Sequence, residues 1–162
     1  MMQSYNLMIP LKIPLFFHSL LCLLGLVLLL PGENPPDFES QLLIELNALR
    51  ATETLPPLSL DPKLQSLASQ WSIHLGQEQK AFHRSSSSLL EFIKKESYSF
   101  LSENLHNSPQ GNDPAFVLQR WMNSPVHRKN LLQPKITKMG VSCTQGKDGV
   151  WYVVWNGGTP QP

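Results

Sequence analysis

Residues 138–155 read KMGVSCTQGKDGVWYVVW, and this stretch decides the fold. In its first half Met139, Val141 and Cys143 alternate with Lys138, Gly140, Ser142 and Thr144, the period of a half-buried β-strand. Gly146-Lys147-Asp148-Gly149 supplies a turn, so the stretch is predicted to be a β-hairpin. In its second half, Val150 to Trp155 is apolar on both faces. Such a strand needs cover above and below, which predicts a sheet held between two helical layers. Cys143 belongs to the inward-facing set of its strand and is expected to be a core residue rather than a nucleophile.

Upstream of the hairpin the apolar period changes to that of helices. Asp37 can cap a helix whose stripe is Phe38, Leu42, Leu46 and Leu49. Thr54-Leu55-Pro56-Pro57 ends it, and Leu58-Ser59-Leu60 reads as an extended link. Asp61-Pro62 starts a second helix, with Leu64, Leu67, Ala68, Trp71 and Leu75 on one face and His74 at the edge of that stripe. The serine run 85–88 reads as a loop, and Leu89 to Lys95 as a short helix. Asp113-Pro114 repeats the helix-start signal ahead of Val117, Leu118, Trp121 and Met122.

The chain has 162 residues, enough for one domain with a substantial core. Its 13 Lys and Arg are nearly balanced by 12 Asp and Glu, and no run of like charge stands out. That balance excludes a general nucleic-acid binder, whose affinity comes largely from neutralising phosphates. Ile13 to Leu30 carries no formal charge and would span about 27 Å as a helix, close to the hydrocarbon thickness of a bilayer. Lys12 precedes it and Glu33, Asp37 and Glu39 follow, so the body is expected outside the cytoplasm. Residues 1–32 are therefore expected to be a cleaved signal peptide or an uncleaved membrane anchor. Residues 33–37 are expected as a linker, 38–158 as the folded domain and 159–162 as a tail. With Cys22 inside the apolar segment, Cys143 is the single cysteine of the body and no internal disulfide is available to it.

An ordered set of segments then carries a family resemblance. These are Leu46-Asn47-Ala48-Leu49-Arg50, Leu58 to Leu64, Phe82-His83, Glu103-Asn104-Leu105, Trp121 to Arg128, and Met139-Gly140-Val141. Together they resemble the CAP superfamily of cysteine-rich secretory, antigen 5 and pathogenesis-related group 1 proteins, most closely its short bacterial SCP-like branch. The resemblance implies a three-layer α/β/α sandwich with a mixed, largely antiparallel sheet, and a cleft where two histidines and acidic residues converge. By position His83, Glu103 and His127 match the first histidine, the central glutamate and the second histidine. Two departures stand out: Ser124 occupies the place of a further glutamate, and Ser102 replaces a glycine whose loss could alter the local backbone.

Two imidazoles and one carboxylate are the protein ligands of many open zinc sites, so His83, Glu103 and His127 are candidate ligands for a divalent metal such as zinc. The same groups could also be a hydrogen-bonded structural cluster. Three function classes stay open. One is an exported binding module whose cleft takes a lipid, glycan or protein partner. Another is a metal-dependent hydrolase using His83, Glu103 and His127, in which the metal acidifies a bound water. A third is a structural protein of the cell envelope. A nucleophilic arrangement of Ser124, His127 and Glu103 is the weakest catalytic option, since no G-x-S-x-G elbow surrounds Ser124 and Ser124-Pro125 reads as a turn. Binding is expected ahead of catalysis, by a monomer that meets the membrane only through its N-terminal segment.

Overall fold

A computed structural model describes residues 37–162. Its elements are α1 (Phe38–Thr52), β1 (Ser59–Leu60), α2 (Pro62–Glu78), α3 (Ser86–Glu96), β2 (Tyr98–Ser108), α4 (Pro114–Met122), α5 (Pro125–Leu131), β3 (Lys138–Gln145) and β4 (Trp151–Pro160). The four strands form one sheet in the order β1-β3-β4-β2. The β1–β3 pair is parallel and the other two are antiparallel. This is the mixed, largely antiparallel sheet that the resemblance implies. The expected signal peptide or anchor, residues 1–32, and most of the expected linker lie outside the described residues. Within those described, no helix is long and apolar enough to cross a membrane.

The apolar run of β4 is buried on both faces, as its composition requires. On one face Val153 and Trp155 join Met139 and Val141 against Leu42 and Leu46 of α1, Val117, Leu118 and Trp121 of α4, and Leu131 of α5. On the other face Tyr152, Val154 and Leu105 pack against Ala68 and Leu75 of α2. Leu64, Leu67 and Tyr98 extend that second layer toward Phe92 and Ile93 of α3. Helices α1, α2 and α4 start where Asp residues cap them. Asp61 Oδ1 accepts from Lys63 N at 2.9 Å and Leu64 N at 3.1 Å, and Asp113 Oδ1 accepts from Ala115 N and Phe116 N.

Several details depart from the sequence expectations. β3 is covered on both faces, because Met139, Gly140, Val141 and Ser142 are all buried. A side chain at Gly140 would collide with the backbone of Leu64 and Gln65, so glycine there lets α2 lie directly on the sheet. The serine run is no loop: Ser85 caps α3 by accepting from Ser88 N at 3.2 Å, and residues 86–88 form its first turn. Ser124-Pro125, expected as a turn, is the N-cap and first residue of α5, with proline where its missing N–H costs nothing. Ser102 takes up no left-handed backbone; it is an ordinary strand residue opposite Gly157. Finally, β4 continues past 158, and Pro160 pairs with Tyr98, so part of the expected tail belongs to the sheet.

Cys143 is half-buried and its thiol donates to Gly111 O at 3.3 Å. Burial first, and the charge of Glu39 second, push the thiol up to about 12. A group so reluctant to ionise has little nucleophilic character near neutral pH.

Candidate functional site

β2 is one of the two edge strands of the sheet, and it carries the polar residues Ser102, Glu103, Asn104 and His106 through its middle. Successive side chains point to opposite faces, so Glu103 and Asn104 serve different layers. Glu103 turns toward the α2 layer and its side chain is only 2% exposed. A carboxylate this deep needs partners. His83 Nδ1 lies 2.9 Å from Oε1, and Arg84 N donates to the same oxygen at 3.2 Å. Arg84 Nε stands at ion-pair distance from Oε2, 3.5 Å, and Asn156, the cross-strand partner of Glu103, donates from Nδ2 to Oε2 at the outer limit of a hydrogen bond, 3.5 Å.

The segment carrying His83 and Arg84 is held to α2 by aromatic groups. Trp71 Nε1 donates to Phe82 O at 3.0 Å, and the Phe82 ring meets Trp71 and His74 edge-on. The Arg84 guanidinium lies over the Trp71 ring, 4.7 Å from its centroid, and donates from Nη2 to Leu67 O. His83 itself stays open to solvent, its side chain 58% exposed. A carboxylate at Nδ1 favours the imidazole tautomer with its proton on that nitrogen, leaving Nε2 as an outward-facing acceptor.

On the other face Asn104 fixes α5. Its Nδ2 donates to His127 O at 3.0 Å, and Asn130 Nδ2 donates to Asn104 Oδ1 at 2.8 Å. This docking leaves His127 half-buried. Burial, and then the charge of His83, hold the His127 imidazole below its ordinary value, so the two candidate histidines lie within electrostatic reach of each other. A third imidazole belongs to the same neighbourhood. His106 meets the Phe116 ring at 5.7 Å, and burial, Arg120 and then His127 push it below its ordinary value.

The structure thus joins His83 to Glu103 directly and brings His127 near them from α5. Ser124 caps α5 without a side-chain bond to the helix. A Ser124–His127–Glu103 relay would need Glu103 to orient His127, whereas Glu103 orients His83. The metal expectation meets a similar obstacle in the donor set. Both oxygens of Glu103 face protein donors, one of them a guanidinium. Among the described residues no three His, Cys, Asp or Glu side chains stand where they could share an ion. The residues present do not fit a three-ligand divalent centre.

Sequence reasoning missed Arg84, His106, Asn130 and Asn156. Nothing local announces that Arg84 is buried, and the polar residues of β2 mask the strand that carries Glu103 and Asn104.

This arrangement, a histidine-flanked glutamate on an edge strand of an α/β/α sandwich, agrees with the comparison to known families. The family model for CAP, the cysteine-rich secretory protein family, matches residues 43–156. The chain is a CAP protein. It is 28% identical over 116 residues to the uncharacterized protein YkwD of Bacillus subtilis, covering 70% of this chain and 45% of that relative. The CAP chain therefore spans less than half the length of the curated relative it matches. Among solved structures it is similar to an outer surface protein of Borrelia burgdorferi, at 25% identity and a TM-score of 0.66, over 75% of this chain and 91% of that one. It is also similar to an extracellular SCP-domain protein of Bacillus anthracis, at 25% identity and a TM-score of 0.63, over 79% and 45%.

Proposed function

We infer that this CAP chain is an extracytoplasmic binding module, and that its cleft of His83, Glu103 and His127 takes a neutral, hydroxyl-rich partner of the glycan type. The outer-surface and extracellular descriptions of its relatives support the location, as does the apolar segment Ile13–Leu30. One observation carries the ligand class. Glu103 is committed to orienting His83, so the group offered to a partner is an imidazole nitrogen that accepts a hydrogen bond. Phe82 beside it is 37% exposed and adds an apolar surface of the kind sugar rings cover. The neutral preference of His127 suits the same class of partner. A lipid or protein partner would want a wider apolar face than Phe82 provides, and a hydrolase would want a carboxylate free for metal or proton transfer.

The test is calorimetric titration of the full chain, in detergent, with an N-acetylglucosamine oligomer. Saturable binding is expected, weakened by about tenfold or more in His83→Ala, the cost of one well-placed hydrogen bond to a ligand. No heat with the oligomer, combined with saturable binding to phospholipid vesicles, would replace the glycan reading with a lipid one.

A further inference from the structure

The His83–Glu103 site contains an internal cation beside its buried carboxylate, where the ligand chemistry of two imidazoles and a carboxylate leads to the expectation of an ion. We propose that Arg84 is the specificity determinant of this cleft: its guanidinium fills the electrostatic position beside Glu103 that a divalent cation would need, so the cleft works without metal. This builds on the reading of the cleft as a binding site, but its test is separate from the identity of the partner.

Three observations carry it. The Arg84 side chain is 9% exposed and stays permanently charged, so its positive charge is a fixed part of the site. It is locked there from three sides: by the Trp71 ring, by Leu67 O and by the carboxylate of Glu103. The site also lacks the charge to hold a second cation. Glu103 is neutralised by Arg84, and Ser124 stands where the resemblance places another carboxylate. A metal entering beside His83 would meet a carboxylate already compensated by Arg84, and the like charge of that guanidinium.

The attachment is also incomplete in a telling way. Arg84 Nε is buried without a hydrogen-bond partner and Asn156 Nδ2 reaches Oε2 of Glu103 only at 3.5 Å, so that oxygen is held by charge more than by directed bonds. Removing the guanidinium would free that oxygen first. A neutral side chain of similar length at position 84 would therefore raise the affinity of the His83–Glu103 pair for a cation.

The experiment is titration of the full chain in detergent with zinc chloride alone, and with cobalt chloride followed by visible absorption. Arg84→Met is expected to bind zinc about 10–100-fold more tightly than the wild type, the range by which groups supporting ligands tune metal sites. The double variant Arg84→Met/Glu103→Gln should lose that gain. Equal zinc affinity in wild type and Arg84→Met would overturn the proposal. If Arg84→Met does not fold, His83→Ala decides it: zinc isotherms indistinguishable from wild type support metal independence, and loss of a tight site overturns it. Glycan titration in excess chelator separates the two readings. Binding that disappears with chelator overturns the role of Arg84 and leaves the binding module intact. Absence of glycan binding, with zinc gained in Arg84→Met, does the reverse.

Discussion

The molecule buries the guanidinium groups of two arginines and treats them oppositely. Arg50, at the end of α1, is fully buried and, among the described residues, pairs with no carboxylate. Its Nε donates to Pro56 O at 3.0 Å, Nη1 to Leu131 O at 2.7 Å and Gln133 O at 3.4 Å, and Nη2 to Ile136 O at 3.3 Å. The guanidinium thus ties two loops together through backbone acceptors. Arg84 makes one backbone bond from its side chain and otherwise relies on Glu103 and the Trp71 ring. Burial pushes both guanidinium groups below their ordinary value, yet only at Arg84 does a carboxylate push back. A buried cation satisfied by carbonyls is a fastener. One satisfied by a carboxylate at a solvent-facing histidine sets the charge of a site.

The largest effect that could break this contrast is at Arg50. Arg50→Met should cost about 4 kcal/mol, because several buried carbonyls lose a charged donor at once. Denaturant midpoints at constant slope will show it. Substituting any single acceptor partner cannot repair the loss, since the acceptors are backbone groups. A cost below about 1 kcal/mol would mean that water replaces the guanidinium and that the loops need no fastener.

At Arg84 a smaller and repairable loss is expected. Arg84→Met should cost about 2 kcal/mol, since Glu103 keeps His83, the backbone N–H of residue 84 and Asn156 as partners. Adding Glu103→Gln should recover about half of it by removing the uncompensated charge, and a double-mutant cycle reads this as a coupling energy. Strictly additive costs would show that stacking on Trp71, rather than the ion pair, holds Arg84.

The same contrast explains what could be read from the sequence. The hairpin, α1, α2 and α4 are legible because their apolar periods and Asp caps are local. β2 is not, because Ser99, Ser102, Glu103, Asn104, His106 and Asn107 interrupt any alternation; the strand gives its side chains to the site rather than to the core. α3 reads too short because serine both caps helices and breaks them. His83, Glu103 and His127 could be named through the resemblance. Arg84 could not, because an arginine after a loop histidine looks solvated until Trp71, 13 positions earlier, is folded over it. Arg50 lies inside a family segment, yet its acceptors include residues 131–136, more than 80 positions away.

The smallest effect concerns acid, and it tests whether the His127 and His106 imidazoles are kept neutral by the fold. His127 and His106 both sit below their ordinary value of 6.5, chiefly through burial. The charged groups around them are His83, Arg120 and, from α5, Arg128 and Lys129. A histidine with a lowered folded pKa binds fewer protons folded than unfolded. Its contribution is then present above pH 6.5 and is lost as pH falls through the folded value. Stability should therefore decline between about pH 7 and pH 5, above the range where most carboxylates titrate. His127→Asn and His106→Asn should each flatten that decline, measured as the denaturant midpoint at about pH 7 and pH 5.5. The groups that lower these two histidines do not include Arg84, whose charge is taken up by Glu103, so Arg84→Met should leave the slope unchanged. A flatter slope in Arg84→Met would extend the guanidinium's influence beyond Glu103 to the imidazoles.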